Sequence, residues 1–147
     1  MTEKEAIELI NLLKELVNKQ VYLPQNGMKK DILLKAKSSI IKKEFIININ
    51  RGSINVNKCS FVARTKGKNE LLLRLDVNPT SKHKNPDGEI IQGTHMHIFK
   101  EDHEINYAIP FNVDSENLIE ACIAFFNHFN VIENYTVEDI SNYKLFN

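Results

Sequence analysis

Leu71-Leu72-Leu73-Arg74-Leu75-Asp76-Val77 reads as a β-strand with two unlike faces. Side chains alternate across a strand, so Leu71, Leu73, Leu75 and Val77 share one face and Arg74 and Asp76 the other. An apolar face backed by a charged pair fits a sheet that packs on a core with one side and leaves the other open.

Similar signals lie on both sides. Upstream, Phe45, Ile47 and Ile49 alternate with Glu44, Ile46, Asn48 and Asn50. Arg51-Gly52-Ser53 reads as a turn, Ile54 and Val56 continue beyond it as a hairpin, and Ser60 to Arg64 is a further strand before a loop at 65–69. Downstream, Asn78 to Gly93 is rich in Pro, Gly, Lys and Asn and reads as a long loop. Thr94 to Lys100 and Ile105 to Phe111 are strands joined by a turn at 101–104.

The ends have helical period. Over residues 3–20, Ile7, Ile10, Leu13 and Val17 recur at helical spacing, with Thr2 as N-cap and Glu5 completing a capping box. Leu23 to Gly27 supplies a turn. Asp114 or Ser115 is expected to cap a helix whose apolar face holds Leu118, Ile119, Cys122, Phe125, Phe126 and Phe129. Thr136 opens a short helix from Val137 to Tyr143. The fold expected is α+β: one domain over residues 1–147, an antiparallel β-meander of five or six strands flanked by an N-terminal and a C-terminal helix.

Composition narrows the class. At 147 residues with 42% hydrophobic content the chain is long enough for one core and too apolar for disorder. No apolar run reaches the roughly 18 residues of a membrane span, and the opening Met1 to Glu5 has no secretory-type stretch behind it, so a cytoplasmic protein is expected. Two cysteines, Cys59 and Cys122, make neither a disulfide framework nor a four-Cys zinc site.

The zero net charge conceals a division. Through Arg74 the chain holds 12 Lys and 3 Arg against 7 acids, and after it 4 Lys against 12 acids. All five histidines follow Arg74. Lys outnumbers Arg 16 to 3, and the three arginines, Arg51, Arg64 and Arg74, fall in one central stretch, which points either to a need for planar forks there or to chance clustering. Neutral overall charge argues against strong nonspecific nucleic-acid binding.

Chemistry concentrates between Leu71 and Phe99. His95-Met96-His97 places two imidazoles on one strand face, their Cα atoms roughly 6 to 7 Å apart. If that strand pairs beside 70–77, Arg74, Asp76, His95 and His97 cluster. The intervening loop carries His83-Lys84-Asn85-Pro86-Asp87-Gly88, whose Pro-Asp-Gly is turn chemistry and which would bring His83 over the sheet. Two readings follow. In a zinc reading, His83, His95 and His97 are nitrogen ligands and Asp76 or Asp87 a fourth or supporting carboxylate, although no H-E-x-x-H or Cys pair accompanies them. In metal-free RNA cleavage, histidines serve as acid and base and an arginine meets the phosphate charge. His103 and His128 read as structural, and Tyr107 as core or rim.

The set L-L-L-R-L-D-V (71–77), H-K-N-P-D-G (83–88), G-T-H-M-H-I-F (93–99) and Y-A-I-P (107–110) resembles a group of small uncharacterised proteins of bacteria and their mobile elements. A weaker resemblance runs to RelE-like ribonuclease toxins of toxin–antitoxin systems, with Arg74, Asp76, His83, His95 and His97 at the matching positions. That resemblance implies a metal-independent endoribonuclease toxin in which Arg74 stabilises phosphate charge, His95 and His97 exchange protons and Asp76 orients one imidazole. No cofactor is then expected, with zinc the lesser reading. The competing expectation is a non-enzymatic phage or mobile-element inhibitor that covers a host defence protein such as a nuclease. Expected partners are accordingly RNA or a host defence protein, an antitoxin, and a second copy of the chain as a homodimer, with no membrane.

Overall fold

The computed structural model describes residues 1–54 and 58–139. Their element order is α1 (Glu3–Asn11), β1 (Lys14–Leu16), β2 (Gln20–Tyr22), β3 (Lys29–Ala36), β4 (Glu44–Arg51), β5 (Cys59–Thr65), β6 (Leu71–Val77), β7 (Lys82–Lys84), β8 (Ile90–Gln92), β9 (His95–Lys100), β10 (Glu104–Pro110), α2 (Leu118–His128) and β11 (Thr136–Glu138). Seven strands form an antiparallel sheet in the order β1-β3-β4-β5-β6-β9-β10. β11 pairs parallel with β2, and β7 with β8 antiparallel. The fold is therefore α+β, with an antiparallel meander interrupted twice, by β2 between β1 and β3 and by the β7–β8 hairpin between β6 and β9. Among the described residues no helix is long and apolar enough to cross a membrane.

One sheet face makes the core. Phe45, Ile47 and Ile49 of β4, Phe61 and Ala63 of β5, and Leu73, Leu75 and Val77 of β6 are buried on it. Helix α2 packs there through aromatic rings: Phe125 lies 5.7 Å from Phe61, and Phe129 meets Phe45 edge-on at 5.5 Å. Such rings dominate the apolar burial, the main favourable contribution to folding. Cys59 and Cys122 are free and buried.

Several expectations are corrected. The helix expected over 3–20 stops at Asn11, although Thr2 caps it as read, its hydroxyl accepting from the Glu5 N–H at 3.0 Å. Leu12 is extended at ψ 134°, and residues 14–16 pair with β3 instead. Lys14 explains the stop. Its ammonium is fully buried and donates to the carbonyls of Ile10, Leu12 and Phe129, each at 2.8 Å. One cation thus satisfies carbonyls at the C-terminal ends of both helices, where the helix dipole favours positive charge. Ile7, Leu13 and Val17, read as one apolar stripe, are each more than half exposed.

β3 was not assigned from the sequence. The meander holds more strands than the five or six expected. β4 runs through Arg51, so the turn begins later than Arg51-Gly52-Ser53 suggested; Ile54 is fully exposed, and Val56 lies outside the described residues. Leu71 is exposed and Leu72 buried, because a register shift between Ala63 and Arg64 interrupts the alternation there. Helix α2 is capped by Asn117, not Asp114 or Ser115, its side-chain oxygen accepting from the Glu120 N–H at 3.1 Å. Residues 136–138 are strand where a helix from Val137 was expected, and the remainder of that expected helix, from residue 140, lies outside the described residues.

Candidate metal centre and phosphate site

β6 and β9 pair with Arg74 opposite His97 and Asp76 opposite His95. Period-two alternation then sends all four side chains to the face away from the core. The long loop folds back as the β7–β8 hairpin and adds His83. Its ring lies 5.4 Å from His95 and 4.7 Å from His97, and the latter two are 4.8 Å apart. The structure brings together all five residues singled out from the sequence: Arg74, Asp76, His83, His95 and His97. His95 and His97 are buried at 4% and 7% exposure, and the Arg74 side chain is half-exposed.

Each imidazole is pinned by a backbone carbonyl. His95 Nδ1 lies 2.8 Å from Gly93 O, His97 Nδ1 2.8 Å from Ile105 O, and His83 Nε2 2.8 Å from Asn106 O. A carbonyl only accepts, so each of these nitrogens carries its proton. In neutral His95 and His97 the Nε2 atoms are therefore lone-pair acceptors, yet both face Asp76 Oδ2, at 3.4 and 3.2 Å. Three acceptors pointed at one another need a cation between them, either a shared proton or a metal ion.

The metal fits the distances. Zinc bonds of 2.0–2.1 Å in a tetrahedron separate neighbouring donors by about 3.3 Å. One ring nitrogen from each of His83, His95 and His97 lies within 4.8 Å of the others, wider than that separation, so binding by all three would need His83 to move inward. An imidazole anchored through its other N–H on a backbone carbonyl is the usual support for a metal-bound histidine. The three imidazoles form the candidate donor set, and Asp76 lies against two of them; three nitrogens with a supporting carboxylate would suit zinc.

Arg74 links the cluster to solvent. Its Nε donates to Asp76 Oδ1 at 2.8 Å. Burial alone would raise the Asp76 carboxyl, but when the His95 and His97 Nε2 atoms carry protons their hydrogen bonds, together with that of Arg74 and its charge, hold it far below the usual carboxylate range. The bond to Asp76 also raises His95 above its ordinary value, against the effect of burial. Beside these groups opens a cavity of about 690 Å³, lined by Arg74, Asp76 and His95 and by the polar Lys58, Ser60 and Thr80.

Other sequence candidates fall elsewhere. Asp87, read as a possible carboxylate ligand, accepts from the Glu89 N–H at 2.9 Å and shapes the turn, and Gly88 there takes φ +93°, which a side chain would strain. Among the arginines, Arg51 is buried against Asp139 at 2.7 Å, and Arg64 is held by Asn48 and Asn69. Arg74 hydrogen-bonds the carboxylate of the cluster; Arg51 lines the same cavity while its side chain is held by Asp139, and Arg64 does not line it. His103 is exposed in a turn, His128 packs edge-on against Phe111, and Tyr107 is half-buried beneath the Lys100 ammonium.

One buried polar residue escaped the sequence reading. Asn85 is 2% exposed, and its side chain exchanges two hydrogen bonds with the backbone of Ala108. The Asn-Pro-Asp-Gly run concealed it, because that string is fully explained as a turn.

No curated protein and no solved structure matches the chain. A model described as a family of unknown function, DUF6978, matches residues 1–131, and with nearly the whole of the described sheet and both helices inside that match, the chain belongs to this family.

Proposed function

We propose that the protein is a metal-assisted endoribonuclease, with a divalent cation, zinc by ligand chemistry, held by His83, His95, His97 and Asp76. The observation that carries this reading is the convergence of two imidazole nitrogens and a carboxylate oxygen, at 3.2 and 3.4 Å, with a third imidazole leaning over them. Arg74 lines the adjoining cavity, and its fork would match phosphate oxygens there.

Cleavage proceeds by attack of the ribose 2′-oxygen on the neighbouring phosphorus. The new P–O bond would form as the bond to the 5′-oxygen breaks; the 2′-hydroxyl would give its proton to solvent water and the departing oxygen take one from solvent. His95 and His97, with Nδ1 on a carbonyl and Nε2 turned to the metal position, exchange no proton while they serve as ligands. The products are a 2′,3′-cyclic phosphate and a 5′-hydroxyl. Arg74 would meet the charge that builds on the non-bridging oxygens, and a cation held by the histidines would supply Lewis-acid stabilisation of the same charge. Cutting cellular RNA in this way would make the protein a toxin.

The test is incubation of the zinc-loaded protein with a single-stranded RNA oligonucleotide and with its all-deoxy counterpart. Expected are cyclic-phosphate ends on the RNA, none on the DNA, and loss of cutting on chelation or in His97→Ala. RNA left intact by a molar excess of loaded protein overturns the reading. Cutting that survives chelation returns the cluster to metal-free acid–base chemistry.

A further inference from the structure

The β7–β8 hairpin is fastened to the sheet by two side chains two residues apart. β10 is the last strand of the sheet order, so alternate backbone groups on its outer side have no strand partner. His83 Nε2 donates to Asn106 O at 2.8 Å. Two residues along, Asn85 donates through Nδ2 to Ala108 O and accepts at Oδ1 from Ala108 N–H, both at 2.8 Å. The spacing on the hairpin equals the spacing of outward-facing groups on the strand. The Asn85 amide, with one donor and one acceptor, replaces the strand residue that would otherwise pair with Ala108.

Asn85 is locked in its own loop as well. Its N–H donates to Glu89 O, and its carbonyl accepts from the Gly88 N–H, each at 2.8 Å. The residue is therefore a rigid joint between the turn and the sheet edge. Ala108 lies opposite His97 in the β9–β10 register. The joint thus fixes the hairpin against the strand that backs the histidine pair.

We propose that Asn85 is a positioning residue for the metal centre: by clamping the hairpin to Ala108 it sets His83 at ligand distance from His95 and His97. This rests on the reading of the cluster as a metal site. His83 is then a ligand on a docked arm, whereas His95, His97 and Asp76 belong to the sheet itself. The histidine and asparagine of the H-x-N motif share one task, the first as ligand and the second as anchor.

Cobalt(II) is the probe, since its visible absorption reports ligand number and geometry. Wild type should give the intense bands of a tetrahedral site. Asn85→Ala should lose them to the same degree as His83→Ala, with metal affinity 10- to 100-fold weaker. The double variant should bind no worse than His83→Ala alone, because Asn85 acts only through His83. Should Asn85→Ala fold poorly, Asn85→Asp keeps the acceptor for Ala108 N–H, loses the donor to Ala108 O, and should weaken binding in the same direction. A wild-type spectrum in the Asn85 variants, or losses that add in the double variant, overturns the proposal. Wild type that binds cobalt no better than His95→Ala overturns the metal reading itself, and the positioning role with it.

Discussion

Two buried polar clusters in this molecule are built in opposite ways. At one end, Lys14 brings a single cation to carbonyls of Ile10, Leu12 and Phe129, with the Phe129 ring 3.8 Å beneath it. Below its lowered pKa of about 7 the group is an ammonium whose three protons all have acceptors, and nothing further is wanted. On the opposite sheet face, Asp76 Oδ2 and the Nε2 atoms of His95 and His97 turn lone pairs on one another. That cluster is incomplete without a cation. The Lys14 cluster holds the fold together by itself, whereas the histidine cluster is completed by a shared proton or by a bound cation, and only the second makes it a binding site.

The sharpest way to break the comparison is to remove one member of each. His97→Ala should lower RNA cleavage about 10³-fold, while the folded fraction stays near wild type. Circular dichroism and the cleavage assay together check this. Lys14→Met should do the reverse. Three carbonyls lose their donor, so stability falls by about 3 kcal/mol, read by urea denaturation, while cleavage per folded molecule is unchanged. If Lys14→Met abolishes activity in folded protein, the division between structural and functional clusters is wrong.

Asp76→Asn sharpens the same contrast at intermediate size. The amide keeps the shape and an oxygen but loses the charge that faces both imidazoles. Metal affinity should fall 10- to 100-fold, measured by competition with a chromogenic chelator, with little change in stability. Arg74→Lys is milder still. The lysine keeps the positive charge but not the fork that both holds Asp76 Oδ1 and meets a phosphate, so cleavage efficiency should drop about 10-fold.

These clusters were unequally legible. Strand period in 71–77 and 95–100 placed Arg74, Asp76, His95 and His97 on shared faces, and pairing of the two strands made them one group. That inference needed only alternation, which backbone geometry enforces. Lys14 looked like one more residue of a helix, because Leu13, Leu16 and Val17 prolong the helical period. The decision to break there comes from long-range contacts, the pairing with β3 and the carbonyl at Phe129, which periodicity does not encode. β3 itself was obscured by neighbouring Leu33 and Leu34 and by lysines on its open face, which blur the two-residue rhythm. Asn85 was hidden for a related reason: its partner is a backbone edge over 20 residues away, and backbone carries no sequence signal.

The smallest effect concerns pH, and it tests how Lys14 is held. Burial lowers its pKa from 10.5 to about 7. Between those values the unfolded chain carries the proton and the folded chain does not. Raising pH therefore favours folding through this window. Relative to Lys14→Met, which has no such group, wild type should gain about 1 kcal/mol from pH 7 to pH 8, and more toward pH 10. The comparison cancels titrations common to both proteins. A gap that stays flat means that the three carbonyls and the Phe129 ring outweigh the loss of hydration and keep the ammonium charged throughout, so the cluster would then be complete only as a cation, the mirror image of the histidine site.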